Sequence, residues 1–289
     1  VAKELNMNSF RFSIEWSRIE PKEGVWDAEQ IQHYKQYIAA MKKRGLEPVM
    51  TLFHFTLPTW FQKLGGFEKR KNVTYFERFA EKVLTEIGGD VRYVITINEP
   101  GVYIGMSYAI GSWPPGVHSK FKSVKVLHNL IYAHKRVSAV AHGLNRRYKV
   151  SFATNMSNVY AGDDALLSRL SAAVFGFFRN DYELRRMYKH CDFIGLNYYF
   201  NDRIYGYRIH NRNQDVSDLG WDMQPAHIQH VIEKIAVKTK LPVMITENGV
   251  ADKDDDFRAW WISESMKGIK LAMKNGASVI GYLHWSLLD

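Results

Sequence analysis

The feature that most constrains this chain is an alternation. Short apolar runs, too continuous for a half-solvated sheet, are separated by stretches with helical periodicity. The runs are Ser9 to Ile14, Pro48 to Phe53, Tyr93 to Ile97, Val150 to Thr154, Phe193 to Leu196, Val243 to Thr246 and Val279 to Leu283. A strand apolar on both faces is buried on both, as in a parallel sheet covered by helices. Between the runs, helical patterns cover roughly 27–44, 74–87, 124–147, 165–188, 225–239 and 257–275. The first opens with Asp27 and carries Gln30 three places on, a capping-box spacing. Ile31, Tyr34, Ile38 and Met41 then form one stripe that Gly45 ends. The second repeats the plan with Thr74, Glu77, Phe76, Phe79, Val83 and Ile87. Such stripes are expected to face the core. The pattern predicts an α/β fold, a (β/α)8 barrel with seven of its eight strands evident. No low-complexity or Pro/Gly/Ser-rich linker interrupts it, so residues 1–289 read as a single domain.

Composition narrows the function classes. With 46% hydrophobic and 24% charged residues the chain has the balance of a globular protein. No apolar run reaches the ~18 residues a membrane helix needs, and no membrane partner is expected. The net charge of +9 raises nucleic acid as a partner. The cations are dispersed, however, and their densest groups, Lys42-Lys43-Arg44 and Lys69-Arg70-Lys71, fall at expected helix ends or loops. No nucleic-acid partner is expected. Cys191 is the only cysteine, which excludes an intrachain disulfide and favours a reducing, cytoplasmic setting. Just before a buried run, it reads as a small apolar core residue. Asn72-Val73-Thr74 and Asn155-Met156-Ser157 match the glycosylation pattern, which matters only in a secreted protein.

The chemistry collects where the apolar runs stop. Phe10-Arg11-Phe12-Ser13-Ile14-Glu15-Trp16 leads toward Pro21, and Leu52-Phe53-His54-Phe55 stops before Pro58. Ile97-Asn98-Glu99 stops at Pro100, Leu196-Asn197-Tyr198-Tyr199 runs into Asn201-Asp202, and Thr246-Glu247-Asn248 stops at Gly249. Leu283-His284-Trp285-Ser286 is the last. A core excludes Arg, His, Asn and Glu at successive strand ends, whereas a parallel barrel gathers them on its C-terminal face. Glu99 and Glu247 stand out, each beside an Asn and 148 positions apart (247 − 99). Paired carboxylates cleave glycosidic bonds: one protonates the departing oxygen while the other attacks the anomeric carbon or activates water. A gap of about 5 Å implies retention and a wider one inversion. Singly, either Glu is as readily a helix cap or a surface ion pair.

Five segments resemble the motifs of glycoside hydrolase family 1, in that family's order. They are Phe10-Arg11-Phe12-Ser13-Ile14, Thr96-Ile97-Asn98-Glu99-Pro100, Gly195-Leu196-Asn197-Tyr198-Tyr199, Ile245-Thr246-Glu247-Asn248-Gly249 and Trp285-Ser286-Leu287-Leu288-Asp289. The resemblance implies a retaining exo-β-glycosidase acting on a small β-linked saccharide or an aryl or alkyl glycoside, with no metal and no cofactor. It implies Glu99 as acid/base and Glu247 as nucleophile. Arg11 and Tyr199 match positions that hold the nucleophile ionised and oriented. Asn98 matches the residue that bonds the sugar 2-OH, His54 one that bonds a further hydroxyl, and Trp285 the aromatic floor under the ring. Asn197 is expected to act through its neighbours. Tyr160, Trp113 and Trp60 are open between lining the entrance and packing.

Three departures qualify the resemblance. Phe55 stands where the family commonly has Trp. The opening residues Val1 to Met7 read as the end of a helix, so the first strand and its sugar-binding Gln are expected to be missing. The acidic-aromatic motif that follows the last strand in the family lies past Asp289. The domain is therefore expected to be incomplete at both ends, and its oligomeric state is undetermined. Two other readings stay open: a truncated, non-catalytic sugar-binding or vestigial barrel, and a 6-phospho-β-glycosidase.

Overall fold

A computed structural model describes residues 1–210 and 216–287. The chain comprises two compact units, residues 1–153 with 187–192 and residues 154–186 with 193–289. In the first, β1 (Ser9–Ser13), β2 (Glu47–Phe53), β3 (Tyr93–Asn98) and β4 (Lys149–Asn155) lie parallel in that order. The last residues of β4, Thr154 and Asn155, fall in the second unit. There β6 (Ile194–Tyr198), β9 (Val243–Asn248) and β10 (Val279–Tyr282) are again parallel in that order. All seven strands sit on the apolar runs, and β2, β3, β4, β6 and β9 are buried almost throughout, as two-faced burial requires.

The sequence reading missed a small three-stranded sheet in the second unit. It consists of β5 (Asn158–Ala161), β7 (Asn201–Tyr205) and β8 (Arg208–Ile209) in the order β5-β7-β8. These strands are short and carry polar residues, so they leave no continuous apolar signature.

Helices occupy the expected intervals: α1 (Ala28–Lys43), α2 (Val73–Glu86), α3 (Lys120–Leu144), α4 (Leu166–Gly176), α5 (Ile228–Thr239) and α6 (Arg258–Lys274). Asp27 caps α1, accepting from Gln30 N–H at 3.0 Å. The reciprocal half of the box is absent, because Asp27 N–H already donates to the Ile19 carbonyl at 2.9 Å. Thr74 does not cap α2. The helix starts one residue earlier, and the Thr74 hydroxyl donates back to the Lys71 carbonyl at 2.9 Å. Glu77 instead grips Arg136 through two bonds of 3.0 and 2.8 Å. The expected helix over 165–188 is interrupted by a π-turn over Phe177–Asp181 and resumes at Tyr182–Met187. Before and into the π-turn the large side chains Leu166, Leu167, Leu170, Val174 and Phe178 are exposed, contrary to the expectation for a stripe, whereas Leu184 and Met187 beyond it are buried.

The core of the first unit centres on Trp16, which stacks on Phe79 at 4.9 Å and leans on Phe61 at 4.7 Å. Its indole N–H donates to the fully buried Glu20 carboxylate, which is also paired with Arg78 and receives the Gly24 N–H. Asn72 is buried and donates to the Leu64 and Gly66 carbonyls at 3.2 and 2.9 Å, so this side chain is committed to the fold. Cys191 differs from the expected apolar core residue. It is half-buried, and its sulfur lies 3.4 Å from His134 Nε2 and 3.5 Å from the Met187 carbonyl. Burial pushes its thiol up to about 12, which makes it a poor nucleophile.

His134, on α3, is fully buried, with Nδ1 at 2.8 Å from the Thr96 hydroxyl. The Thr96 hydroxyl in turn donates to the Ser151 carbonyl at 3.3 Å. Because the Thr96 hydroxyl spends its hydrogen on Ser151, the neutral ring donates from Nδ1 to the Thr96 oxygen. Burial, reinforced by the nearby His190, holds the imidazole down to about 3.

Two outcomes follow. Asp27→Ala removes the cap of α1 and is expected to cost about 1 kcal/mol in chemical denaturation. His134 takes up its proton near pH 6.5 when unfolded but near pH 3 when folded. Below about pH 6.5 the unfolded state therefore binds the extra proton, and stability falls as pH drops toward 3. In His134→Gln the slope of stability against pH, measured between about pH 6 and about pH 4, should be shallower by about 1.4 kcal/mol per pH unit. An unchanged slope would contradict the assignment.

Candidate active site

The polar strand ends form two constellations, one in each unit. In the first, the β3–β4 register slips between Ile95 and Asn98, so that Asn98 faces Ala153. Glu99 follows in the left-handed region, at φ 43° and ψ 63°, and Pro100 opens a short helix directly behind it. That conformation is unfavourable for a residue with a side chain, and more so before proline. It is held by the Glu99 N–H, which donates to the Ala153 carbonyl at 2.8 Å, and by the Tyr103 N–H, which donates to the Glu99 carbonyl at 3.0 Å. Strained backbone of this kind concentrates at functional sites. The Glu99 side chain is 6% exposed.

Arg11 ties three strands together. Its Nε donates to Thr51 Oγ1 on β2 at 3.1 Å, and its Nη2 donates to Asn98 Oδ1 on β3 at 2.6 Å. The second bond fixes which way the Asn98 carboxamide faces, because its oxygen is committed to the guanidinium. His54, at the end of β2, has its Nδ1 at 2.9 Å from Ser13 Oγ. Ser13 thereby sets the ring's orientation. Phe55, also left-handed at φ 72°, packs on the His54 ring at 5.0 Å and on Trp113 at 5.0 Å.

In the second unit the β6–β9 register slips between Leu196 and Asn197, which sets Asn197 opposite Glu247 and Tyr198 opposite Asn248. Glu247 is 4% exposed, and its Oε2 accepts from the Tyr199 hydroxyl at 2.7 Å. Asn197 accepts at Oδ1 from the Thr246 hydroxyl at 2.6 Å, bracing β6 against β9 below the carboxylate. Asn248 is structural: its Nδ2 donates to the Tyr198 carbonyl at 2.7 Å. Its Oδ1 accepts from the Trp261 indole at 3.1 Å and the Tyr282 hydroxyl at 3.0 Å. Trp285 reaches the same end of β9, its N–H donating to the Asn248 carbonyl at 2.9 Å. A Cβ on Gly249 would stand 2.0 Å from the Trp285 carbonyl oxygen, so only glycine admits this approach. Trp285 is 47% exposed, which leaves indole surface available to a flat apolar partner.

The structure thus groups Arg11 with Asn98, Ser13 with His54, Tyr199 with Glu247, Thr246 with Asn197, and Trp285 with the Asn248–Gly249 backbone. Sequence reasoning assigned no role to Ser13, Thr51 or Thr246. Each lies on a strand beside an expected site residue, and hydroxyls inside otherwise apolar runs were the signal available. Trp60 serves packing, with its indole donating to the Glu20 carbonyl at 2.8 Å and its ring against Trp16. Tyr160 accepts from Arg203 Nε at 3.0 Å. Leu288 and Asp289 of the last motif lie outside the described residues. Among the described residues no group of three His, Cys, Asp or Glu is placed to hold a metal ion, and no helix is long and apolar enough to cross a membrane.

The profile described as Glycosyl hydrolase family 1 matches residues 1–174 and 174–289. Among curated relatives, the chain is 28% identical over its whole length to the chloroplastic galactolipid galactosyltransferase SFR2 of Arabidopsis thaliana, of which it covers 50%. It is 26% identical to β-glucosidase A of Acetivibrio thermocellus, covering 100% of this chain and 76% of that one. The chain spans about half the length of the SFR2 relatives it matches. A solved β-glycosidase from Pyrococcus horikoshii superposes with a TM-score of 0.90 at 31% identity, over 98% of this chain and 72% of the other. The seven parallel strands and their helices are therefore those of the (β/α)8 barrel of such enzymes, and the chain belongs to glycosyl hydrolase family 1.

Proposed function

We propose that this protein is a retaining exo-β-glycosidase, acting on β-glucosides or β-galactosides with Glu247 as nucleophile and Glu99 as acid/base. The observation that carries the reading is the 2.7 Å bond from Tyr199 to Glu247, between two strand-end residues in segments that resemble the family's motifs. A phenol donating to a carboxylate orients it and supports its charged, attacking form. In the first step the Glu247 carboxylate attacks the anomeric carbon as the glycosidic C–O bond breaks. Glu99 delivers its proton to the departing oxygen. In the second, Glu99 takes a proton from water, whose oxygen displaces Glu247 from the sugar. Arg11 supports the nucleophile. Asn98, oriented by Arg11, bonds the sugar 2-OH; His54, oriented by Ser13, bonds another hydroxyl; and Trp285 supports the apolar face of the ring. Asn197 positions Glu247 through Thr246. The two units act as a single catalytic domain, and the lone cysteine favours a reducing, cytoplasmic location.

Hydrolysis of aryl β-glycosides tests the reading. Glu247→Ala should lower kcat by about a thousandfold or more. Azide should restore turnover, giving a glycosyl azide inverted at the anomeric carbon. Glu99→Ala should retain the first step with good leaving groups and, with azide, give the β-azide. A Glu247→Ala enzyme with unchanged activity would overturn the assignment, and a wild type inert on both plain and 6-phosphorylated glycosides would favour a non-catalytic barrel. SFR2 is a galactosyltransferase by name; product analysis with added sugar acceptors separates transfer from hydrolysis, since both pass through the same glycosyl-enzyme.

Tyr199→Phe removes the donor to Glu247 while keeping the ring. A bond to a charged group of this type is worth about 1.5–3 kcal/mol, so kcat should fall roughly ten- to a hundredfold. KM should change little. A purely structural role would instead lower the melting temperature and leave kcat near wild type.

A further inference from the structure

Helix α4 is built inside out. Its inward side carries the small residues Ser168, Ala172 and Gly176, all buried. A Cβ on Gly176 would lie 3.5 Å from Val159 of β5, and the Ser168 hydroxyl accepts from Gly206 N–H at 2.7 Å. The large side chains face out: Leu166 is 70% exposed, Leu167 56%, Leu170 57%, Val174 59% and Phe178 64%. Arg169 is the one charged residue of α4 and is exposed; monomers nonetheless rarely expose a contiguous apolar patch beyond a few hundred Å². The patch continues onto the β7–β8 turn, where Tyr207 and Ile209 are exposed and Gly206 approaches Leu167.

The charges along this stripe identify what covers it. Asp163 and Asp164, both exposed, precede the helix. Arg185 and Arg186, both exposed, stand at its other end, beyond the π-turn, while Glu183, Leu184 and Met187 between and beside them are buried. Among the described residues neither arginine meets a carboxylate; Arg186 stacks on Tyr182 at 3.7 Å and Arg185 approaches Phe177. The aspartates precede the helix and the arginines follow the π-turn, so the two charged ends flank the exposed stripe. Val174 is midway between them.

We propose that this face is the interface with a second copy of the chain, formed by two α4 helices packed antiparallel about a twofold axis near Val174. Such an interface is self-complementary. Each acidic helix start meets the other copy's arginine pair, Leu170 of one copy packs on Phe178 of the other, and the helix dipoles oppose. An anionic lipid surface fits less well, because Asp163 and Asp164 flank the same stripe.

Sedimentation velocity on the whole chain from about 1 to about 100 µM tests this. The wild type should dimerise, and Leu170→Glu and Phe178→Glu should each be monomeric with an unchanged far-UV circular dichroism spectrum. Asp163→Arg with Asp164→Arg should weaken association by about tenfold or more, and adding Arg185→Asp with Arg186→Asp should restore it. Val174→Cys should form an interchain disulfide under mild oxidation that the wild type does not form. A wild type that stays monomeric overturns the proposal, whether or not it binds vesicles of phosphatidylglycerol and phosphatidylcholine. So does a dimer indifferent to Leu170→Glu and to the charge exchange.

Discussion

The fold rests on the five strands β2, β3, β4, β6 and β9, which are buried on both faces. A strand so placed has its backbone groups satisfied by neighbours and its side chains packed by helices, which leaves no room for an unpaired polar group along its length. Polar chemistry is then confined to the strand ends. Glu20 illustrates the alternative: a carboxylate inside the core is kept only because an indole, a guanidinium and a backbone amide all reach it.

The strand ends are not simple terminations. Both β3 and β6 slip register within a residue or two of a carboxylate or its support, and Glu99 itself turns through a left-handed conformation. A slip of this sort redirects a side chain that regular pleating would send to the opposite face. The hydroxyls of Ser13, Thr51 and Thr246 lie just behind, each fixing a side chain that projects further. The two asparagines that adjoin the carboxylates have separate duties. Asn98 is held by Arg11 at its oxygen, whereas Asn248 is a clamp among Tyr198, Trp261 and Tyr282. Burial raises the hydroxyls of Tyr198 and Tyr282 well above the ordinary phenol range, so both stay neutral donors in this setting.

Helix α4 follows another rule from the remaining helices. Elsewhere the apolar stripe turns inward, as with Ile31, Tyr34, Ile38 and Met41 on α1. On α4 the inner side, toward β5, carries Gly176, Ala172 and Ser168, and the leucines lie on the outer one. Periodicity alone records that an apolar stripe exists, and packing against the neighbouring elements decides which side of the helix is covered.

The amino-acid order by itself determined the seven strands, the six main helices and the residue types gathered at the strand ends. Burial and periodicity are written locally, and a parallel strand needs no partner to be recognised as apolar on both faces. It also carried the cap at Asp27, since that bond closes within one turn. Tertiary structure decided the rest. Thr74 lost its capping role to a helix that starts one residue sooner, Cys191 turned toward His134, and the small β5-β7-β8 sheet formed from segments with no apolar run. It also set the partners of Arg11 and Tyr199 and the bonds of Asn248 to Tyr198 and Tyr282, which lie tens of residues away along the chain. Those bonds depend on distances of about 3 Å between remote segments, which register slips and backbone turns establish and which no local pattern encodes.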